Sequence, residues 1–220
     1  MKHYQILSAL LQYPEPELVA ALHELEAGLS YDLPLRARLA PLLVHLAEHD
    51  MITLQQTYVQ TFDRTPTHSL HLFEHIHGES RDRGQAMVDL MEEYKKYGLE
   101  MIGDELPDYV PLFLEFLSQL ADEETAGRLL GDAVHVLAYI GHKLAANDSP
   151  YACVFQVLES LSPVAAEELT EPPIKDMDEA LETFGPGADG VEPLLKPQSQ
   201  GPQPINFYPR GTRPVPAGAH

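Results

Sequence analysis

The chain is short of the residues that oxidised, membrane-spanning and nucleic-acid-binding proteins depend on. Cys153 is the single cysteine among 220 residues. That excludes an internal disulfide framework and a CxxC metal knuckle, and it fits a reducing compartment. Lys and Arg number 14 against 34 Asp and Glu, for a formal net charge of -20. A chain so poor in cations repels phosphate backbones and anionic membranes and attracts basic peptides. No run reaches the roughly 20 apolar residues that span a bilayer. The N-terminus, MKHYQILSALLQYPEPEL, has no small-residue cleavage site and does not read as a secretory signal. The expected location is the cytoplasm. There is also no GxGxxG, no Walker loop and no GxSxG, so neither a phosphate cradle nor a serine nucleophile elbow is indicated.

What is present is helical. Leu39, Leu42, Leu43 and Leu46 follow the i, i+3, i+4, i+7 spacing of a helix with one buried face. Leu54, Tyr58 and Phe62 form a second stripe, with Thr53 and nearby Gln56 reading as a capping-box start. Met87, Leu90, Met91, Tyr94 and Tyr97 form a third, closed by Lys95, Lys96 and Gly98. Leu106, Val110, Phe113, Leu114, Leu117 and Leu120 form a fourth. Asp122 opens a fifth helix, carrying Leu129, Leu130, Val134, Leu137, Ile140 and Leu144. Ser149 before Pro150 reads as the cap of a sixth, with Val154, Phe155, Leu158 and Leu161. Two shorter helices are expected near 3–12 and 15–28. No run has a period of two. The pattern predicts an all-α, compact bundle of about seven to eight helices over residues 1–165.

An acidic, Pro/Gly-rich tail is expected over 166–220. Ten of the 19 prolines lie between Pro172 and Pro216, and six of the 14 glycines lie among or just beyond them. Such a composition offers little apolar mass against the entropy of ordering. One short helical turn is predicted near Asp176–Phe184.

Three constellations carry possible chemistry. His71-Leu72-Phe73-Glu74-His75 matches the HxxEH of inverted zinc peptidases. On a helix, His71 and His75 would share a face and hold one metal. The pattern fixes only three positions in a chain with 11 histidines, and a peptidase needs a third ligand and an open water position. The bland alternative is that these histidines line a polar groove or cap helix ends. Cys153, on an apolar face, reads as a buried small hydrophobe.

The second constellation is Glu105 to Leu117, ELPDYVPLFLEFL. Pro107 suits the first turn of a helix, and Asp108 puts a carboxylate at its positive end. Glu115, seven residues on, would share that face. Pro111 is tolerable only if the helix starts near Val110. A loop-to-helix junction is expected here, with Asp108 and Tyr109 projecting from it. The third is Tyr58 to Met87, where an amphipathic helix gives way to a Pro-interrupted segment and then, past Gly78, to a new helix. Arg81 and Arg83 stand out there in so acidic a chain, and Glu79 and Asp82 are their near neighbours.

The FDR at Phe62-Asp63-Arg64, the run FEHIHGESRDRGQAM from Phe73 to Met87, and ELPDYVPLFLEFL together resemble nitrate reductase molybdenum cofactor assembly chaperones of the NarJ type. The wider set of molybdoenzyme chaperones shares the proline-aspartate pair, here Pro107 and Asp108, and a leucine-glutamate-phenylalanine triplet, here Leu114-Glu115-Phe116. The likeness is strong over roughly 58–120 and looser in the N-terminal helices. It implies an all-helical, cytoplasmic protein that is not an enzyme and has no cofactor of its own. The implied partner is the apo catalytic (alpha) subunit of a respiratory nitrate reductase, met through its basic amphipathic N-terminal peptide. The chaperone would support molybdenum cofactor insertion, delay membrane attachment and remain outside the finished enzyme. The implied peptide-binding residues are Pro107, Asp108, Tyr109 and Glu115; relatives often carry histidine where Tyr109 stands. A basic amphipathic helix needs apolar anchors within an acidic rim. Tyr58, Phe62, Leu72, Phe73, Glu79 and Arg81 complete the expected set. The alternative function is a zinc-dependent hydrolase using the HxxEH.

Overall fold

The computed structural model describes residues 2–78 and 81–169. Among them are nine α-helices: α1 (Lys2–Leu10), α2 (Pro16–Gly28), α3 (Leu33–Glu48), α4 (Met51–Tyr58), α5 (Glu74–His77), α6 (Arg81–Lys96), α7 (Val110–Gln119), α8 (Glu123–Ala146) and α9 (Ala152–Leu161). The fold is an all-α bundle. It has more helices than the period predicts because the four residues of α5 are too few to show one. The predicted turn near Asp176 and nearly all of the predicted tail lie outside the described residues.

Helix starts follow local chemistry. Asp32 accepts from the Leu35 N–H at 3.0 Å, and Asp122 accepts from the N–H groups of Glu124 and Thr125 at 3.2 and 2.9 Å. Two expected caps are corrected. Asp50, not Thr53, caps α4: its carboxylate accepts from the Thr53 N–H at 3.1 Å and from the Thr53 hydroxyl at 2.8 Å. Thr53 is therefore inside the first turn. Ser149 does not cap α9, which begins at Ala152 after a turn closed by the Ala152 N–H on the Ser149 carbonyl. Pro111 falls in the first turn of α7, where its missing donor costs nothing.

The helices meet through the predicted stripes. α8 packs along α9, α1 along α7, and α3 on α9. Leu39, Leu42, Leu114, Leu117, Leu137, Ile140, Phe155 and Leu158 are fully buried between them. Each such side chain contributes about 1.5–3 kcal/mol by leaving water. Cys153 is buried as expected, and burial pushes its thiol up to about 11.

The end of α4 departs from the expected pattern. Beyond Tyr58 the chain widens into a π-helical turn over Val59–Asp63, an irregularity that re-aims side chains by part of a turn. Phe62 lies within it, 4.8 Å ring to ring from Tyr58 and 4.9 Å from Tyr151. Beyond the π turn the chain runs through a 3-10 turn at Pro66–His68 into the segment that carries the candidate site.

Candidate functional site

Residues 70–72 and 108–110 form a clip. The Leu72 N–H donates to the Asp108 carbonyl at 3.0 Å, and the Val110 N–H donates to the Leu70 carbonyl at 2.8 Å. Among the described residues this single antiparallel bridge, His71 opposite Tyr109, is the nearest thing to a strand. It fixes the entry to α7 against the segment that follows α4. Four further bonds brace it. The Tyr94 hydroxyl donates to the Pro107 carbonyl at 2.7 Å, the Ser8 hydroxyl to the Pro111 carbonyl at 2.7 Å, and the Tyr58 hydroxyl to the Leu11 carbonyl at 2.9 Å. The Tyr58 and Tyr109 hydroxyls lie 3.3 Å apart.

Asp108 does not project from this junction as expected. Its side chain is fully buried and turns back onto the 71–74 segment. Its Oδ2 accepts from the Phe73 N–H at 3.0 Å, and its Oδ1 accepts from His71 Nδ1 at 3.4 Å. Arg83 Nη2 stands 3.9 Å from Oδ2 and donates to Glu74 Oε1 at 3.0 Å. Burial opposes the charge on Asp108, but the His71 bond, the Phe73 N–H and Arg83 outweigh it and hold the carboxyl below its ordinary range. The Asp108 bond in turn raises His71 against the opposing effect of burial. His75 goes the other way: burial lowers it, and its Nε2 donates to the Ser69 carbonyl at 2.8 Å.

The opposite shifts of the two histidines give a pH signature. His71, raised in the fold, contributes stability that is fully present below its unfolded value of about 6.5 and is lost as pH rises through its folded value. Melting temperatures of the wild type and His71→Asn from pH 5.5 to 8.5 should converge as pH rises. A constant gap would show that folding does not raise His71.

The zinc reading is corrected by the same geometry. His71 lies in the bridge and α5 begins only at Glu74, so His71 and His75 do not share a helix face. One ring nitrogen of each is committed to a protein acceptor, and Glu74 is paired with Arg83. Among the described residues no group of three or more His, Cys, Asp or Glu is placed to hold a metal ion.

The other expected residues divide. Pro107 is buried in the clip, and Tyr109 and Phe73 are half-buried beside it. Tyr58, Phe62 and Leu72 are core residues, each 5% exposed. They support the site from beneath. Glu115 is exposed on α7 and does not share a face with Asp108, because Asp108 precedes the helix and points inward. Glu79 lies outside the described residues, and of Arg81 only the backbone, opening α6, is described. The sequence reading passed over His71, Glu74, Arg83 and Tyr94 as partners of the junction. Arg83 was legible as a cation on the apolar stripe of α6, four residues before Met87. A cleft of about 700 Å³ lies elsewhere and is lined by Tyr4, Glu123, Leu161, Pro163 and their neighbours; none of the clip residues lines it.

This all-α architecture is shared with a solved structure. A crystal structure of a protein from Archaeoglobus fulgidus assigned to redox enzyme maturation superposes with a TM-score of 0.55 at 21% identity, covering 72% of this chain and 91% of that one. That likeness speaks for the fold alone. The sequence profile of the nitrate reductase delta subunit family matches residues 29–156. The nitrate reductase molybdenum cofactor assembly chaperone NarJ of Escherichia coli K12 is 39% identical over 187 residues, which cover 80% of this chain and 79% of that protein. NarW of the same strain is 39% identical over 162 residues, 74% of this chain and 68% of its own. The chain belongs to the nitrate reductase delta subunit family and is of the NarJ type.

Proposed function

We propose that this protein is a system-specific chaperone of a respiratory nitrate reductase. It binds the N-terminus of the apo catalytic subunit, supports insertion of the molybdenum cofactor and delays attachment to the membrane anchor. It catalyses no reaction, does not remain in the finished enzyme, and works in the cytoplasm. The family and the names of its relatives support the assembly role. No described helix is long and apolar enough to cross a membrane.

The observation that carries the peptide-binding reading is the clip itself. It places an ionised, buried carboxylate, Asp108, directly behind two half-exposed rings, Tyr109 and Phe73, in a chain of net charge -20. A basic amphipathic helix finds there apolar contact from the rings and acid from Glu74, and Glu115, exposed on α7, adds to the acid of the surface. Tyr58, Phe62 and Leu72 hold the floor, and Pro107 holds the turn. Charge complementarity governs the rate of encounter more than the final affinity.

Calorimetry with the N-terminal peptide of the catalytic subunit tests this. The expected result is a one-to-one complex that weakens as added salt shortens the Debye length from about 10 Å at 0.1 M toward about 3 Å at 1 M. A peptide of the same composition in scrambled order is expected to bind weakly. Equal binding of both would leave only an acidic scaffold without leader specificity, and no heat with either would remove the reading.

A further inference from the structure

The two carboxylates of the clip hold a cation that fits them poorly. Arg83 offers a planar fork of five donors, which pairs best with carboxylates through two parallel bonds. Here one nitrogen, Nη2, makes both approaches, at 3.0 Å to Glu74 and 3.9 Å to Asp108. Its Nε is buried with no hydrogen-bond partner, and an unpaired buried donor is a cost to the closed state. Asp108 does not depend on this arginine for its place, since the Phe73 N–H and His71 hold it independently. Glu74 is partly open to solvent, at 36% exposure.

The helix that carries Arg83 is also thinly held. Along α6, Tyr94 is buried and pinned to the Pro107 carbonyl at the far end. Between it and Arg83, the apolar stripe of Met87, Leu90 and Met91 is only half-covered. Before α6, α5 ends at Gly78 with φ +53° and ψ -132°, a conformation that glycine tolerates and residues with a Cβ resist. On α6 only Tyr94 belongs to the buried core, so a shift of the first turn would not open the leucines beneath. A methionine-rich face adapts to varied apolar partners.

We propose that Glu74 and Asp108 form a cation subsite, filled by Arg83 in the free protein and taken over by a lysine or arginine of the bound peptide. This deepens the peptide-binding reading and rests on it. Arg83 is an internal competitor: the peptide's cation replaces it, the first turn of α6 moves aside, and Met87 and Leu90 become available to the peptide's apolar face. Apparent affinity is then the intrinsic affinity reduced by the fraction of molecules in which the subsite is vacated.

The test is calorimetry on the full-length protein with the N-terminal peptide of the catalytic subunit and with a copy whose Lys and Arg are replaced by Gln. Arg83→Met is expected to bind the basic peptide about threefold to tenfold more tightly than wild type. It gains nothing with the neutral copy, and Arg83→Lys restores wild-type affinity. Glu74→Gln is expected to weaken the basic peptide by about threefold and leave the neutral copy unchanged. In the wild type, the Arg83 Nε–H resonance should be protected from solvent exchange before the peptide is added and lose that protection afterwards. Weaker or unaltered binding by Arg83→Met, an equal gain with both peptides, or an Nε–H signal that ignores the peptide overturns the proposal. If Arg83→Met does not fold, Glu74→Gln and the resonance decide. A wild type that binds neither peptide removes the peptide-binding reading itself, whereas one that binds the basic peptide but shows none of these effects removes only the cation subsite.

Discussion

Asp108→Ala is expected to lower the unfolding free energy by about 3–5 kcal/mol, the usual cost of removing one partner from a buried, hydrogen-bonded charge cluster. The carboxylate is fully buried and serves Phe73, His71 and Arg83 at once. Deleting it leaves the Phe73 N–H and the His71 ring without their acceptor and takes a counter-charge from Arg83. Asp108→Asn keeps the shape and one acceptor oxygen, and its loss should be smaller, about 1–3 kcal/mol. Urea unfolding at pH 7 measures both. The sign of the pH dependence separates charge from shape. A carboxyl held below its ordinary range contributes stability above its unfolded value of about 3.9, and this is lost as pH falls through the lower folded value. The wild type should therefore lose its advantage over Asp108→Asn in acid. An alanine variant as stable as wild type would show that the cluster is not what holds the clip. Peptide affinity should fall in the alanine variant even at temperatures where it is folded; unchanged affinity would confine Asp108 to a structural role.

Gly141→Ala is expected to destabilise the protein by about 1–3 kcal/mol, against the intrinsic preference of a helix for alanine. α8 and α9 approach so closely that a Cβ at Gly141 would lie 2.7 Å from the Phe155 Cβ. Phe155 is fully buried and has nowhere to retreat, so the helices must separate. The control is on the same helix. A Cβ at Gly127 meets nothing nearer than 3.9 Å, from Pro163, and Gly127→Ala should gain about 0.5–1 kcal/mol from helix propensity. Opposite signs for the two substitutions in thermal melts check the close approach of the helices. A gain at Gly141 would mean that they stand further apart.

Much of the scaffold was legible because a helix of ten or more residues repeats its burial every three or four positions. α3 and α8 carry their predicted stripes into the core, and α7 and α9 do so except for Leu106, exposed ahead of α7, and Leu161, half-covered at the end of α9. Two starts were misread for a local reason: Thr53 and Ser149 have side chains able to cap, but Asp50 competes successfully for α4, and the turn before Ala152 displaces the start of α9. The π turn at Val59–Asp63 did not show in the sequence, where Phe62 reads as the next step of the α4 stripe. At the site, the loop-to-helix junction was readable from Pro107 and Pro111. The direction of the Asp108 side chain was not, because its acceptor role is satisfied by residues 35 and 37 positions away.

By itself, then, the amino-acid order determined what depends on near neighbours and bulk composition: the helical class, most of the buried faces, the absence of disulfides, the strong negative charge and the family. Tertiary structure alone decided what depends on distant residues meeting. It turned Asp108 inward, drew His71 off a helix and away from a metal-binding pairing with His75, and set Arg83 over two carboxylates with one nitrogen unpaired. The reason is that helix periodicity is written every few residues, whereas a buried charge settles wherever the completed fold supplies enough donors to replace water.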